Sequence, residues 1–214
     1  MPRLSEQTKA KRRAHILTSA WICFSRNGFH QTSMDDVISE SGMSSSAVYR
    51  YFRSKDDLID ATAEQGMTTV RDVFVNASEQ EPLPSPRELV YSLVEALHRR
   101  AAHSEYDLTR LALQTWAEAV RNPHLHEQAG MRYGESLISI EAILRAWQVQ
   151  GQIRGDMELG SAAYVLSSLM HGLIVNHHLV RPIDAADVAA GLQTLGILVD
   201  DGVDRRSMIA DRHA

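Results

Sequence analysis

Apolar residues recur every three or four positions along most of the chain and nowhere alternate with polar ones as a strand requires. Within residues 8–27, Ile16, Leu17, Ala20, Trp21 and Phe24 fall at spacings of three, four, seven and eight, the stripe of one amphipathic helix. Gly28 is its expected stop, with Phe29 just beyond. A second, shorter helix carries Val37 and Ile38, and Ser33 with Asp36 has capping-box spacing, aspartate standing in for glutamate. Gly42 falls where the chain must turn, because glycine takes positive φ without a Cβ clash. Ser44 is the expected cap of a third helix, in which Val48 and Phe52, four apart, share a face. Ser54 and Asp57 repeat the capping spacing and predict a fourth helix over 55–77. Ile16, Leu17, Phe24, Val37, Ile38, Val48 and Phe52 form the expected core of this small head.

A polar, proline-bearing connection over 78–85 separates head from body. Ser85, Pro86 and Glu88 then supply a cap, a first-turn proline and a capping glutamate for a helix reaching about residue 103. Helices are predicted over 108–121 and 123–150, split by Asn122-Pro123, and Gly151 and Gly155 bracket a turn. The two most apolar helices, 159–180 and 185–199, come last, and the tail from 200 is polar and expected to fray. The reading is all-α. A head over 1–55 contains a three-helix helix-turn-helix, a body of further helices covers 56–200 (about nine helices in all), and a tail covers 201–214.

Charge changes the picture. The chain of 214 residues carries a formal net charge of −5, which argues against nucleic-acid binding. The first 55 residues, however, hold 9 Lys/Arg against 4 Asp/Glu, and the remainder 13 against 23. The basic end includes an arm of Arg3, Lys9, Lys11, Arg12 and Arg13, suited to a phosphate backbone or minor groove and equally readable as a solvated helix face. A single cysteine, Cys23, excludes an internal disulfide framework, suits a reducing cytoplasm and lies beside the apolar stripe, where a packed thiol is expected. No basic-then-apolar leader and no uninterrupted apolar run of about 18 residues appear, so neither a signal peptide nor a membrane span is predicted.

Two short helices around a tight turn, the second displaying hydroxyls, phenols and an arginine, form the arrangement that reads a major groove. The run Ile16-Leu17, Ala20, Phe24, Gly28-Phe29, Thr32-Ser33-Met34, Val37, Gly42-Met43-Ser44, Val48-Tyr49, Tyr51-Phe52, Ser54-Lys55 and Leu58 resembles the N-terminal domain of TetR-family transcriptional regulators. Ile38 stands where that family usually has alanine. The resemblance implies an all-α homodimer with a DNA-binding head and a body that binds a small ligand, most often a repressor released from a palindromic operator. It also implies a recognition helix over 45–51, with Ser45, Ser46, Ala47 and Arg50 facing bases or adjacent backbone and Tyr49 and Tyr51 reaching phosphates. Lys55, and Thr32 with Ser33, are expected to hold phosphates on the two flanks. Arg50 is the candidate for direct readout, since a guanidinium bridges guanine O6 and N7. For Arg50 and Tyr51 the alternative is a solvated face, and for Tyr49 partial packing.

The C-terminal helix pair is similar in placement to the family's dimerisation helices. Ala162, Ala163, Leu166, Leu169, Met170, Leu173, Ile174, Leu192, Leu195 and Leu198 are then expected to meet a second copy, although a monomer could bury the same helices. Trp116, Tyr133, Trp147 and His171 are the residues expected to face an effector cavity for an apolar or mildly polar molecule. The stretch 113–123 resembles a segment common in one branch of the family's ligand-binding domains. The histidines lack metal-site spacing, and no phosphate loop or nucleophile elbow appears, so no metal, cofactor or enzymatic activity is expected. The same architecture also suits an activator, an effector-independent regulator, or a body that binds a protein or lipid.

Overall fold

The structure, a computed structural model, describes residues 5–195, and of 66–70 the backbone path alone. Nine helices and no strand occur among the described residues. They are α1 (Glu6–Gln31), α2 (Met34–Ser41), α3 (Ser45–Tyr49), α4 (Lys55–Ser78), α5 (Pro86–Ala101), α6 (Leu108–Ala119), α7 (Pro123–Val149), α8 (Leu159–Leu179) and α9 (Ala185–Thr194). Arg3, Leu198, the rest of the last predicted helix and the polar tail lie outside the described residues.

Local chemistry sets most boundaries. Ser33 and Asp36 close a full capping box, Ser33 Oγ accepting from the Asp36 N–H at 3.1 Å and Asp36 Oδ2 from the Ser33 N–H at 2.8 Å. Ser85 and Glu88 do the same for α5. At α4 the box is shifted by one residue. Ser54 accepts from the Asp57 N–H, but Asp57 reaches back to the Arg53 N–H at 2.7 Å. Gly42 ends α2 in the left-handed region at φ 63°. Asn122 caps α7, with Pro123 at its first turn.

Three expectations need correction. Gly28 does not end α1 but breaks it. Its φ of 76° and ψ of 168° belong to a region open essentially to glycine alone, and one further helical turn follows. Ser44 makes no side-chain cap, since its hydroxyl faces the Ser46 hydroxyl at 3.3 Å instead. The recognition helix is five residues rather than seven, although Arg50 keeps helical angles and the Tyr51 and Phe52 amides both bond the Val48 carbonyl.

Ile16, Leu17, Ala20, Phe24, Val37, Val48, Phe52 and Leu58 pack into one buried cluster, and Ile38 stays half-buried at its edge. That cluster continues into the body through Leu111, Ala119, Leu125 and Ala129 of α6 and α7. A second cluster, around Phe74, Leu93, Leu97, Ile140, Ile143 and Trp147, holds the body together. α4 runs through both and packs along α7, where Glu64–Arg132 and Arg71–Glu135 pair at 3.4 and 3.0 Å.

α9 packs on α5, and α8 packs on α7 and α6. α8 is the one described helix long and apolar enough by composition to cross a membrane, and only 28% of its apolar window is buried. The stripe left uncovered carries Tyr164, Val165 and Leu179, with Leu195 exposed just past α9. This differs from the expected dimer face. Ala163, Met170, Ile174 and Leu192 are buried within the chain itself. A helix apolar on all sides gives the sequence no means of choosing which stripe faces inward.

Candidate nucleic-acid interface and body cavity

A contact from the middle of α1 to the last residue of α2 holds the chain where it turns into α3. His15 Nε2 lies 2.9 Å from the Ser41 carbonyl, tying the last turn of α2 to α1. Val48 and Phe52 are buried, so α3 turns its other face outward, and Ser45, Ser46, Tyr49 and Arg50 are exposed. Ala47 is half-buried, and Tyr51 packs partly against the head core. Ser33 is exposed at the N-terminus of α2, where free N–H groups favour an anion. The Asp36 carboxyl, held below its usual range by the Ser33 amide and hydroxyl, competes for one of those donors. Lys55 opens α4 and donates to the His30 carbonyl at 3.1 Å, leaving two of its ammonium hydrogens for another acceptor.

Thr32 does not fit the expectation. It is 1% exposed, its hydroxyl donates to the Gly28 carbonyl at 2.8 Å, and its N–H bonds the same oxygen. It braces the broken end of α1 and has no group left for a phosphate. Of the basic arm, Lys9 pairs with Glu6 at 2.7 Å and the Arg13 guanidinium lies 5.0 Å from the centre of the Phe52 ring. Cys23 is buried, which pushes its thiol up and away from reactivity.

Between α5, α7, α8 and α9 the body holds a cavity of about 430 Å³. Phe74, Leu93, Leu144, Leu166 and Leu173 are among the apolar side chains around it, and Arg154 and Ser161 are the only polar ones described there. Val165 and Leu195, on the exposed apolar face, stand at its margin. Trp147 lines it as expected, with its indole N–H donated to the Pro84 carbonyl at 2.8 Å.

Trp116, Tyr133 and His171 are brought together elsewhere. The His171 ring lies 5.0 Å from Trp116 and 4.9 Å from Tyr133, both edge-on. The Tyr133 hydroxyl accepts from the Trp116 indole, and burial pushes its pKa up to about 12. Burial lowers His171, partly offset by its bond to the Ser167 carbonyl. The sequence does not reveal the cavity's aliphatic lining, because leucines at helical spacing carry no mark separating cavity wall from core. Other histidines serve the backbone. His98 meets the Ile183 carbonyl, and His177 Nδ1 accepts from the Ile183 N–H.

Both the head and the body match known proteins. Residues 16–62 match the family model described as bacterial regulatory proteins, tetR family, and residues 86–204 that of the BetI-type transcriptional repressor C-terminal domain. The HTH-type transcriptional regulator UidR of Escherichia coli K12 is 27% identical over 195 residues, covering 90% of this chain and 96% of its own. Salmonella enterica GusR superimposes with a TM-score of 0.73 at 26% identity, over 92% of this chain and 99% of that one. A regulator from Saccharomonospora viridis, solved in complex with choline, gives 0.68 at 26% identity, over 87% and 95%.

Proposed function

The chain belongs to the TetR family of DNA-binding transcriptional regulators, and on that premise we propose that it is a homodimeric repressor released from a palindromic operator by a small molecule. The observation that carries this reading is a cavity of about 430 Å³ in the same chain as a helix-turn-helix whose polar face is unobstructed. Ser45, Ser46, Ala47 and Arg50 meet base edges or adjacent backbone. Tyr49, Tyr51, Ser33 and Lys55 hold phosphates, and Thr32 supports them from inside. The head (1–55) and body (56–200) divide these roles, in a protein of the cytoplasm.

Two copies are needed because a two-fold operator presents half-sites about 34 Å apart. The uncovered stripe of α8, with Tyr164, Val165 and Leu179, is the surface that pairs them, and Val165 and Leu195 bring that surface to the margin of the cavity. A ligand that prefers one spacing of the two heads shifts the equilibrium by its differential affinity alone, typically about 1–3 kcal/mol.

The described lining supports an apolar effector, uncharged or with one acidic group near Arg154, since Arg154 is its only charge. The choline complex of the S. viridis protein makes choline the contrasting probe. The test is a gel shift on the gene's own upstream DNA, with a medium-chain fatty acid, the matching alcohol, or choline added. Release by the acid or alcohol supports the reading, and release by choline alone replaces the effector class. Absence of salt-sensitive binding to any DNA overturns the interface.

A further inference from the structure

We propose that Gln114, on the body helix α6, is a positioning residue for the phosphate-holding groups of the head; this rests on the DNA interface proposed above. The break at Gly28 frees the Phe29 amide, which a continuous helix would bond to the Ser25 carbonyl. Gln114 Oε1 accepts that amide at 3.2 Å, and Gln114 Nε2 donates to the Phe24 carbonyl at 3.4 Å. One side chain therefore grips both sides of the break from another part of the chain.

The turn it grips carries the interface. The His30 carbonyl holds the Lys55 ammonium at 3.1 Å, and Ser33, the cap of α2, follows directly after. Between them Thr32 locks the turn through its bond to Gly28. A shift of Gln114 along α6 is thus delivered to Lys55 on one flank of the recognition helix and to Ser33 on the other. The grip is reinforced at helical spacing. Glu118, four residues on, lies 3.5 Å from His30, and Arg121, three further, lies 3.2 Å from it. Trp116, between Gln114 and Glu118 in sequence, points instead to His171 and Tyr133 in the body. α6 presents one face to the body interior and the other to the exit of α1, which explains the segment 113–123 that the sequence singled out without giving it a role.

The experiment uses the full chain and a duplex enriched from a random-sequence pool by the wild-type protein, with affinity read by fluorescence anisotropy at one salt concentration. Lys55→Ala is expected to weaken binding roughly tenfold, as loss of a charge-assisted phosphate contact. Gln114→Leu, which keeps the volume and loses both bonds, is expected to weaken it roughly fivefold. Combined, the two should fall well short of the product of their separate losses, because Gln114 acts through Lys55. Gln114→Glu keeps the acceptor for Phe29 but sets a carboxylate oxygen against the Phe24 carbonyl, and should recover only part of the affinity. Hydrogen exchange at Phe29 should accelerate in the leucine variant and not in the glutamate one. Wild-type affinity for Gln114→Leu, or losses that multiply in full, would overturn the proposal while leaving the interface standing. An unchanged affinity for Lys55→Ala overturns both.

Discussion

Gly28 holds a backbone conformation that any side chain makes costly, so Gly28→Ala should lower stability by about 1–3 kcal/mol in urea unfolding although the added methyl meets ordinary space. That α1 is interrupted at Gly28 is legible in the sequence, which reads the interruption as a stop. That the helix resumes beyond it is not, because resumption depends on Gln114, 85 positions away from Phe29. Tyr133 and His171 make opposite statements about pH. The Tyr133 phenol is neutral in the folded chain up to about 12, so its contribution is complete below the ordinary tyrosine range near 10 and is lost as pH climbs between those values. His171 is lowered, so stability falls as acid drops the pH through and below its ordinary value of 6.5. Thermal unfolding across pH should decline at both ends, and Tyr133→Phe should blunt the alkaline limb.

At the scale of elements, the caps behave as their residue types dictate. Ser33→Ala should cost about 1 kcal/mol by removing the oxygen that accepts the Asp36 amide, with the loss read in the chemical melt. Within the recognition turn the side chains separate by what they touch. Tyr49→Phe should weaken binding to enriched and scrambled duplexes alike. Arg50→Ala should narrow the gap between them, and equal losses on both would remove Arg50 from base reading. The head was readable from sequence because short-range capping and i, i+4 burial specify it. The sequence does not separate Thr32 from its neighbour Ser33, since the two are chemically alike and only Ser33 occupies the surface side of the turn. The cavity was largely hidden, since aromatic residues drew attention to a packed cluster while aliphatic ones line the space.

At the scale of the molecule, the dimer proposed above rests on the uncovered stripe of α8. Tyr164→Asp with Val165→Asp should turn a dimer into a monomer in sedimentation experiments and abolish tight operator binding, while helicity stays that of the wild type. Sequence marks both helices as apolar but not which stripe the fold leaves uncovered, because burial within one chain and burial between two look alike in composition.

The head's core also has its own lesson for anyone building hybrid sensors. Leu111, Ala119, Leu125 and Ala129 complete a cluster that begins with Ile16 and Phe24. A graft cut after Lys55 therefore transplants a reading module with an open seam. The exchangeable unit is a discontinuous one, the first sixty or so residues together with the α6 and α7 surface that seals them. Chimaeras that carry that surface should fold and keep their operator, and those that do not should inherit neither parent's behaviour.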